Sequence, residues 1–135
     1  MTAIFYLKLY LLTIPVFFAI DLLWLGVVAR DLYQKNLAHL LSATVNWPAA
    51  FVFYLIYIAG ILFFAVRPAL ADQSLFKAAF LGALFGFFTY ATYDLTNLAT
   101  LRDWPLKIVL VDIAWGTLLC MLVATASFLF GRWLG

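Results

Sequence analysis

Four long apolar runs, separated by charged clusters, constrain this chain more than any other feature. They predict helices at residues 4–29, 47–66, 75–101 and 105–130. About 20 apolar residues in a helix cross the hydrocarbon core of a bilayer, and a helix satisfies its own peptide groups there. The sequence therefore predicts an all-α integral membrane protein, with four transmembrane helices forming one domain over residues 1–135.

The composition excludes several classes of protein. Of the residues, 68% are hydrophobic and 10% charged, with a mean hydropathy of +1.11, whereas soluble domains carry about 25% charged residues. A soluble enzyme is excluded, and so is a disulfide scaffold, because Cys120 is the only cysteine. The eight basic residues form no patch, so we expect no nucleic-acid partner. The first run is too long for a cleaved signal and contains Asp21.

The ends of the runs carry helix signals. Asn46 is expected to cap the second helix and Pro105 to begin the fourth. The pair Arg67-Pro68 is expected to end the second helix, and residues 30–46 form a long polar and amphipathic connection. Two tryptophans beside these starts are expected in the interfacial belt on one side of the membrane, Trp47 and Trp104.

The two halves of the chain resemble each other. Residues 21–31 resemble residues 94–103, and residues 46–48 resemble residues 103–105, although the spacing is not constant. A duplicated two-helix hairpin is therefore possible, and it would place two parallel repeats about an axis along the membrane normal. Chance matches between apolar helices are the alternative.

The basic residues do not fix the orientation. Four lie on the face with the termini and four on the other, so the positive-inside rule gives no bias. Either folding or a partner sets the orientation, or both orientations insert and form antiparallel dimers. The two sets are Lys8, Arg67, Lys77 and Arg132, and Arg30, Lys35, Arg102 and Lys107.

Three aspartates, Asp21, Asp94 and Asp112, fall inside the predicted spans. An ionisable group there costs several kcal/mol unless it is paired or hydrated. At 1.5 Å per residue, each lies about 12–13 Å along its helix from the same face of the membrane. Convergence on one site is therefore geometrically possible, and we expect at least one aspartate to be protonated at neutral pH.

Polar residues surround these acids at helical spacing. Tyr90 to Asn97 form a stripe on one helix face, and Gly82 and Gly86 allow a neighbouring helix to approach closely. The predicted ligand- or proton-binding residues are Asp21, Trp24, Tyr90, Tyr93, Asp94, Asn97, Asp112 and Trp115, with Arg30 and Arg102 as counter-charges. The alternative is that the acids only join helices by hydrogen bonds. No nucleophile, metal site or cofactor is predicted, and His39 is expected to be an interfacial side chain.

The stretches 21–26, 90–97 and 112–116 together resemble the bacterial membrane-protein family known as domain of unknown function 2177. The resemblance covers essentially the whole chain, and its most specific part is the Tyr-Asp-Leu-Thr-Asn segment at 93–97 followed by Trp104-Pro105. It implies a four-helix protein of the inner membrane and brings no established activity. The absence of barrel-type alternation also favours a multi-pass protein of the bacterial inner (cell) membrane.

Three functions remain open at this stage. The first is proton-linked binding or transport of a small molecule or ion, in which the aspartates take up a proton or a cationic group. The second is a lipid-modifying membrane enzyme or its accessory subunit, with an aspartate and Tyr90 or Tyr93 as acid and base. The third is a structural membrane partner. A homodimer in the lipid bilayer is expected, because four helices make a thin bundle, and a small molecule or lipid is the possible ligand.

Overall fold

A computed structural model describes all 135 residues and contains only helices and their connections. Four helices are long and apolar enough to cross a membrane, as the sequence predicts. The bundle consists of α1 (Ala3–Val28), α3 (Trp47–Ala71), α4 (Leu75–Thr100) and α5 (Leu106–Leu134). A short helix, α2 (Arg30–Leu37), follows α1. The all-α membrane fold is confirmed.

Side-chain caps begin three of the long helices, at Thr2, Asn46 and Ser74. Oγ1 of Thr2 accepts from the backbone N–H of Phe5 at 3.2 Å, and Oδ1 of Asn46 accepts from that of Ala49 at 3.2 Å. The predicted Asn46 cap is therefore confirmed. The predicted starts of the long helices agree with the structure to within about one residue, because caps and Pro105 mark them in the sequence.

The second membrane helix does not end at Arg67-Pro68. It continues to Ala71, because residues Leu62–Val66 form a π-helical turn just before the proline. The backbone N–H of Arg67 donates to the carbonyl of Leu62, five residues earlier. A proline ring clashes with the carbonyl four residues before it in a regular α-helix. The wider turn relieves that clash, so Pro68 begins a last short segment instead of ending the helix.

The connection after α1 is more ordered than the sequence indicates. A second π-helical turn, Trp24–Val28, ends α1, and α2 follows directly across Ala29. Leu37 of α2 packs with Trp104, Ile108 and Val109 in a small apolar cluster. Trp104 is therefore only 9% exposed, in contrast to Trp47, which is 59% exposed. Of the two tryptophans expected at the lipid boundary, Trp104 is instead covered by protein.

The closest helix pair is α4 with α5. A Cβ atom added to Gly86 would lie 2.1 Å from the carbonyl oxygen of Gly116, and one added to Gly82 would lie 2.6 Å from that of Cys120. No side chain separates the two backbones at these points. The predicted close approach at Gly82 and Gly86 is found, and it fixes the residues of α4 relative to those of α5.

Helix α5 packs against each of the other three long helices, and α1 and α4 lie at opposite corners of the bundle. Helix α3 lies directly against α4 at the Leu62–Val66 turn. Nearer its start, α3 stands off from α4, and the ring of Tyr57 fills part of the gap by stacking on Phe85 at 5.2 Å. This gap positions the site described next.

Candidate functional site

The three membrane aspartates lie in one region of the bundle. Asp94 of α4 adjoins Asp112 of α5, although no hydrogen bond of normal geometry joins them. Asp21 of α1 is close enough to Asp112 for their charges to interact. Asp112 is thus the acid that the other two have in common, and Asp94 and Asp112 form the closely placed pair.

Asp94 is the most unusual of the three. Its side chain is 0% exposed, and neither carboxyl oxygen has a hydrogen-bond partner. Buried polar atoms are nearly always hydrogen-bonded, because an unpaired one costs about 1–3 kcal/mol on mutational scales and a charged one far more. The side-chain N–H of Trp104 is also buried without a partner. The bundle therefore contains buried polar atoms that form no hydrogen bond with the rest of the chain.

Asp112 is held by a hydrogen-bond chain that begins on α1. Nε1 of Trp24 donates to the hydroxyl of Tyr33 at 3.1 Å, and that hydroxyl donates to Oδ1 of Asp112 at 2.7 Å. Tyr33 belongs to α2, outside the membrane spans. Burial, and after it the charge of Asp112, raises the pKa of the Tyr33 phenol. Tyr33 therefore remains a neutral donor to Asp112 at physiological pH.

Asp21 is satisfied by protein groups. Its carboxyl oxygens accept from the Tyr54 hydroxyl and from Nε1 of Trp115, both at 3.4 Å. The rings of Trp115 and Trp24 stack with centroids 4.4 Å apart and planes 7° from parallel. Trp115 thus binds the acid of α1 directly, and Trp24 binds the acid of α5 through Tyr33. This crossed arrangement joins α1, α2 and α5.

A cavity of about 540 Å³ lies in the gap between α3 and α4, with Asp112 of α5 in its wall. Its lining residues are Phe53, Tyr57, Thr89, Tyr90, Tyr93 and Asp112. Among these, Tyr57 and Thr89 share a hydrogen bond of 2.7 Å between their hydroxyls. The Tyr90 ring packs on Gly116, where an added Cβ would meet it at 2.1 Å. The cavity is aromatic, with one acid and no basic residue.

The other residues predicted for the site form no hydrogen bond with the three aspartates. Tyr93 lines the cavity but is 56% exposed, and its ring contacts Trp104 edge to face at 5.8 Å. Asn97 is half-buried one turn further along α4. Arg30 and Arg102 are exposed, and neither forms an ion pair with an aspartate. The single salt bridge of the chain joins Lys77 to Asp72. The three membrane aspartates therefore lack the counter-charges expected from the sequence.

Sequence reasoning missed four residues of this region. They are Tyr33, Tyr54, Tyr57 and Thr89. Tyr54 and Tyr57 lie one helical turn apart and face the bundle, a spacing that the sequence shows. No sequence pattern indicated Tyr33, because residues 30–46 have the composition of a polar connection between helices.

The other reactive side chains lie outside this arrangement or within packed regions. A ring nitrogen of His39 lies 3.0 Å from the backbone carbonyl of Asp103, which links the loop after α2 to the α4–α5 turn. Cys120 is buried, with Sγ 3.1 Å from the Tyr57 hydroxyl. The three aspartates do not form a group that could hold a metal ion together, and no other such group is found in the chain.

Replacing Tyr33 by phenylalanine tests the chain that holds Asp112. We expect Tyr33→Phe to lower the free energy of unfolding by about 1–3 kcal/mol, because a half-buried carboxyl and an indole N–H both lose their partner. Thermal unfolding in nanodiscs measures the change. Tyr6→Phe is the control, since that hydroxyl contacts only the Met1 sulfur near the start of α1. Equal stability of the two variants would contradict the role given to Tyr33.

Comparison with known proteins gives a family and no characterised relative. A family model described as "Predicted membrane protein (DUF2177)" matches residues 6–129. No curated protein and no solved structure matches the chain.

Proposed function

Given that this chain belongs to the DUF2177 family of predicted membrane proteins, we propose that it binds and transports a small molecule or ion in exchange for a proton. The observation that supports this is the acid pair of Asp94 and Asp112. One acid is fully buried and unpartnered, and its neighbour lines an open cavity. Together they offer a site that either a proton or a cationic group can neutralise.

The proposal follows from the cost of burying charge. A carboxylate at the position of Asp94 would have no hydrogen bond and no cation, so the protonated form is favoured when the site is empty. A cationic group beside Asp112 would favour release of that proton, because opposite charges stabilise each other strongly at low dielectric. Proton release and ligand uptake are therefore linked at this pair.

Tyr33 supports the proposal by holding Asp112 from outside the membrane helices. Tyr33 donates to Asp112 and lies on α2, between the first two membrane helices. Its hydroxyl is held on its other side by Trp24. This pair of hydrogen bonds fixes the orientation of the Asp112 carboxyl toward which a proton or a cationic group would come.

Infrared difference spectroscopy of the protein in nanodiscs tests this function. We expect a protonated-carboxyl band that changes between about pH 5 and pH 9, two units to either side of neutrality, because burial and an acidic neighbour both favour the protonated form. The band should be lost in Asp94→Asn or Asp112→Asn. Asp103→Asn, in the exposed α4–α5 turn, is the matched control and should keep the band. A carboxyl spectrum that stays constant over this range in the unsubstituted protein would overturn the proposal.

A lipid-modifying role is the second candidate, favoured by the position of the cavity. The cavity opens between two membrane helices, and Tyr90 and Tyr93 line it beside Asp112. These side chains could exchange a proton with a lipid, as a lipid-modifying enzyme or its accessory subunit would require. A change in membrane lipid composition on deletion of the gene, reversed by the unsubstituted chain and not by Asp112→Asn, would favour this candidate.

A homodimer in a bacterial inner membrane is the assembly that we propose for either role. The exposed side chains of the four helices are mostly large and apolar, which suits both lipid and a second copy of the chain. A second copy would widen a thin four-helix bundle enough to enclose a pathway. Mass measurement of the protein in native nanodiscs tests this.

A further inference from the structure

The cavity between α3 and α4 also indicates which class of molecule the site takes. We propose that its ligand is a cationic amphiphile, with an ammonium head beside Asp112 and a hydrocarbon chain leaving between α3 and α4 into the bilayer. This rests on the proposed function and names the substrate class of the same site.

The head of the ligand is identified by charge and by aromatic rings. The lining contains one carboxyl group, Asp112, and no lysine, arginine or histidine. Asp94 adjoins it from behind, so the nearby ionisable groups are acidic. Four aromatic rings line the same space, and the faces of such rings attract ammonium groups. The rings are those of Phe53, Tyr57, Tyr90 and Tyr93.

The hydrogen-bonding groups at the cavity wall further restrict the chemistry of the ligand's head group. Tyr33 engages only Oδ1 of Asp112, and the Tyr90 hydroxyl at the cavity wall makes no hydrogen bond within the chain. The hydroxyls of Tyr57 and Thr89 are already bonded to each other. The Tyr93 hydroxyl likewise makes no hydrogen bond of normal geometry, so the free groups at the cavity wall comprise a carboxyl oxygen and two phenols, which suits a compact cation better than a sugar or phosphate head.

The apolar chain of the ligand follows from the gap between the helices. Helix α3 contacts α4 at the Leu62–Val66 turn and diverges from it toward Trp47. Along this divergent stretch Phe53 is 49% exposed and Phe88 is 62% exposed. At 1.5 Å per residue, Phe53 lies about 9 Å and Tyr57 about 15 Å along α3 from Trp47. The cavity thus lies between the level of the headgroups, where lipid chains begin, and the middle of the bilayer.

The volume agrees with an occupant of this kind. Ligand cavities for small molecules measure about 300–1,000 Å³, and the 540 Å³ found here lies within that range. A trimethylammonium head and the first part of a chain fit such a space, while the rest of the chain remains in lipid. Entry from the bilayer requires no opening toward water.

Equilibrium binding of radiolabelled decyltrimethylammonium to the protein in nanodiscs, with protein-free nanodiscs subtracted, tests this inference. We expect saturable binding of about one molecule per chain. Asp112→Asn should weaken it at least tenfold, because the carboxyl's charge is the main attraction for the head, while Asp103→Asn leaves it unchanged. Phe53→Ala should weaken it several-fold, while Phe51→Ala, on the same helix and outside the cavity lining, should not.

Competition experiments separate the parts of the proposed ligand. Decanol and decanoate should displace the label poorly because they lack the cation, and tetramethylammonium should do so poorly because it lacks the chain. Equal displacement by any of the three would overturn the inference, as would the absence of saturable binding. If binding is absent while the carboxyl band still titrates, only this inference fails. A constant carboxyl spectrum would remove the proposed function as well.

Discussion

Gly86→Ala is expected to lower the free energy of unfolding by about 3 kcal/mol, at the upper end of the usual effect of overpacking. The added Cβ would lie 2.1 Å from the carbonyl oxygen of Gly116 and 2.8 Å from its carbon. These are backbone atoms, so no side-chain rotation can relieve the contact. Helices α4 and α5 would have to separate, although alanine favours a helix intrinsically.

The control for this prediction is Gly26→Ala. Nothing lies within 4 Å of the Cβ position at Gly26, so this change should leave stability the same or slightly higher. Reversible thermal or denaturant unfolding in mixed micelles, followed by circular dichroism, compares the two variants. A Gly86→Ala protein within about 0.5 kcal/mol of the unsubstituted chain, the usual effect of a neutral surface change, would show that the helix pair is looser than described.

Asp94→Leu is expected to make the protein more stable and to abolish its carboxyl titration. Leucine is apolar and has the same branched skeleton of four side-chain heavy atoms, so it removes a buried unpartnered polar group at a gain of about 1–3 kcal/mol. A residue whose removal stabilises the fold has no packing reason to be there. Unfolding in mixed micelles measures the gain, and infrared spectroscopy measures the loss of titration.

The same substitution at Asp21 should have the opposite effect on stability. Asp21 accepts hydrogen bonds from Tyr54 and Trp115, so Asp21→Leu leaves two donors unsatisfied at a cost of about 1–3 kcal/mol. The pair distinguishes an acid that joins helices from one that is kept for binding. Destabilisation of similar size in both variants would assign Asp94 to packing and contradict the proposed function.

The sequence predicts those features that depend on local chemistry. The spans follow from hydropathy, the start of α3 from the Asn46 cap, and the close helix pair from Gly82 and Gly86. The depth of the three aspartates follows from the rise of a helix. Each of these rests on residues near one another in the chain.

Features that depend on distant contacts could not be predicted. Pro68 continues a helix because the turn before it widens, and no residue type specifies that turn. Tyr33 becomes part of the site only because α2 folds back onto α5. The lack of partners at Asp94 is a property of the assembled bundle, and so is the cavity, which exists because α3 diverges from α4.

The crossed contacts between the tryptophans and the acids also govern the order in which the protein can be assembled. Asp21 reaches the membrane early in synthesis, but its partner Trp115 is made 94 residues later. Asp112 likewise bonds to a tyrosine made 79 residues before it. Until the final helix inserts, the first acid has neither that donor nor its stacked tryptophan pair. A chain that ends before α5 therefore leaves an incompletely satisfied acid in lipid, which is costly there.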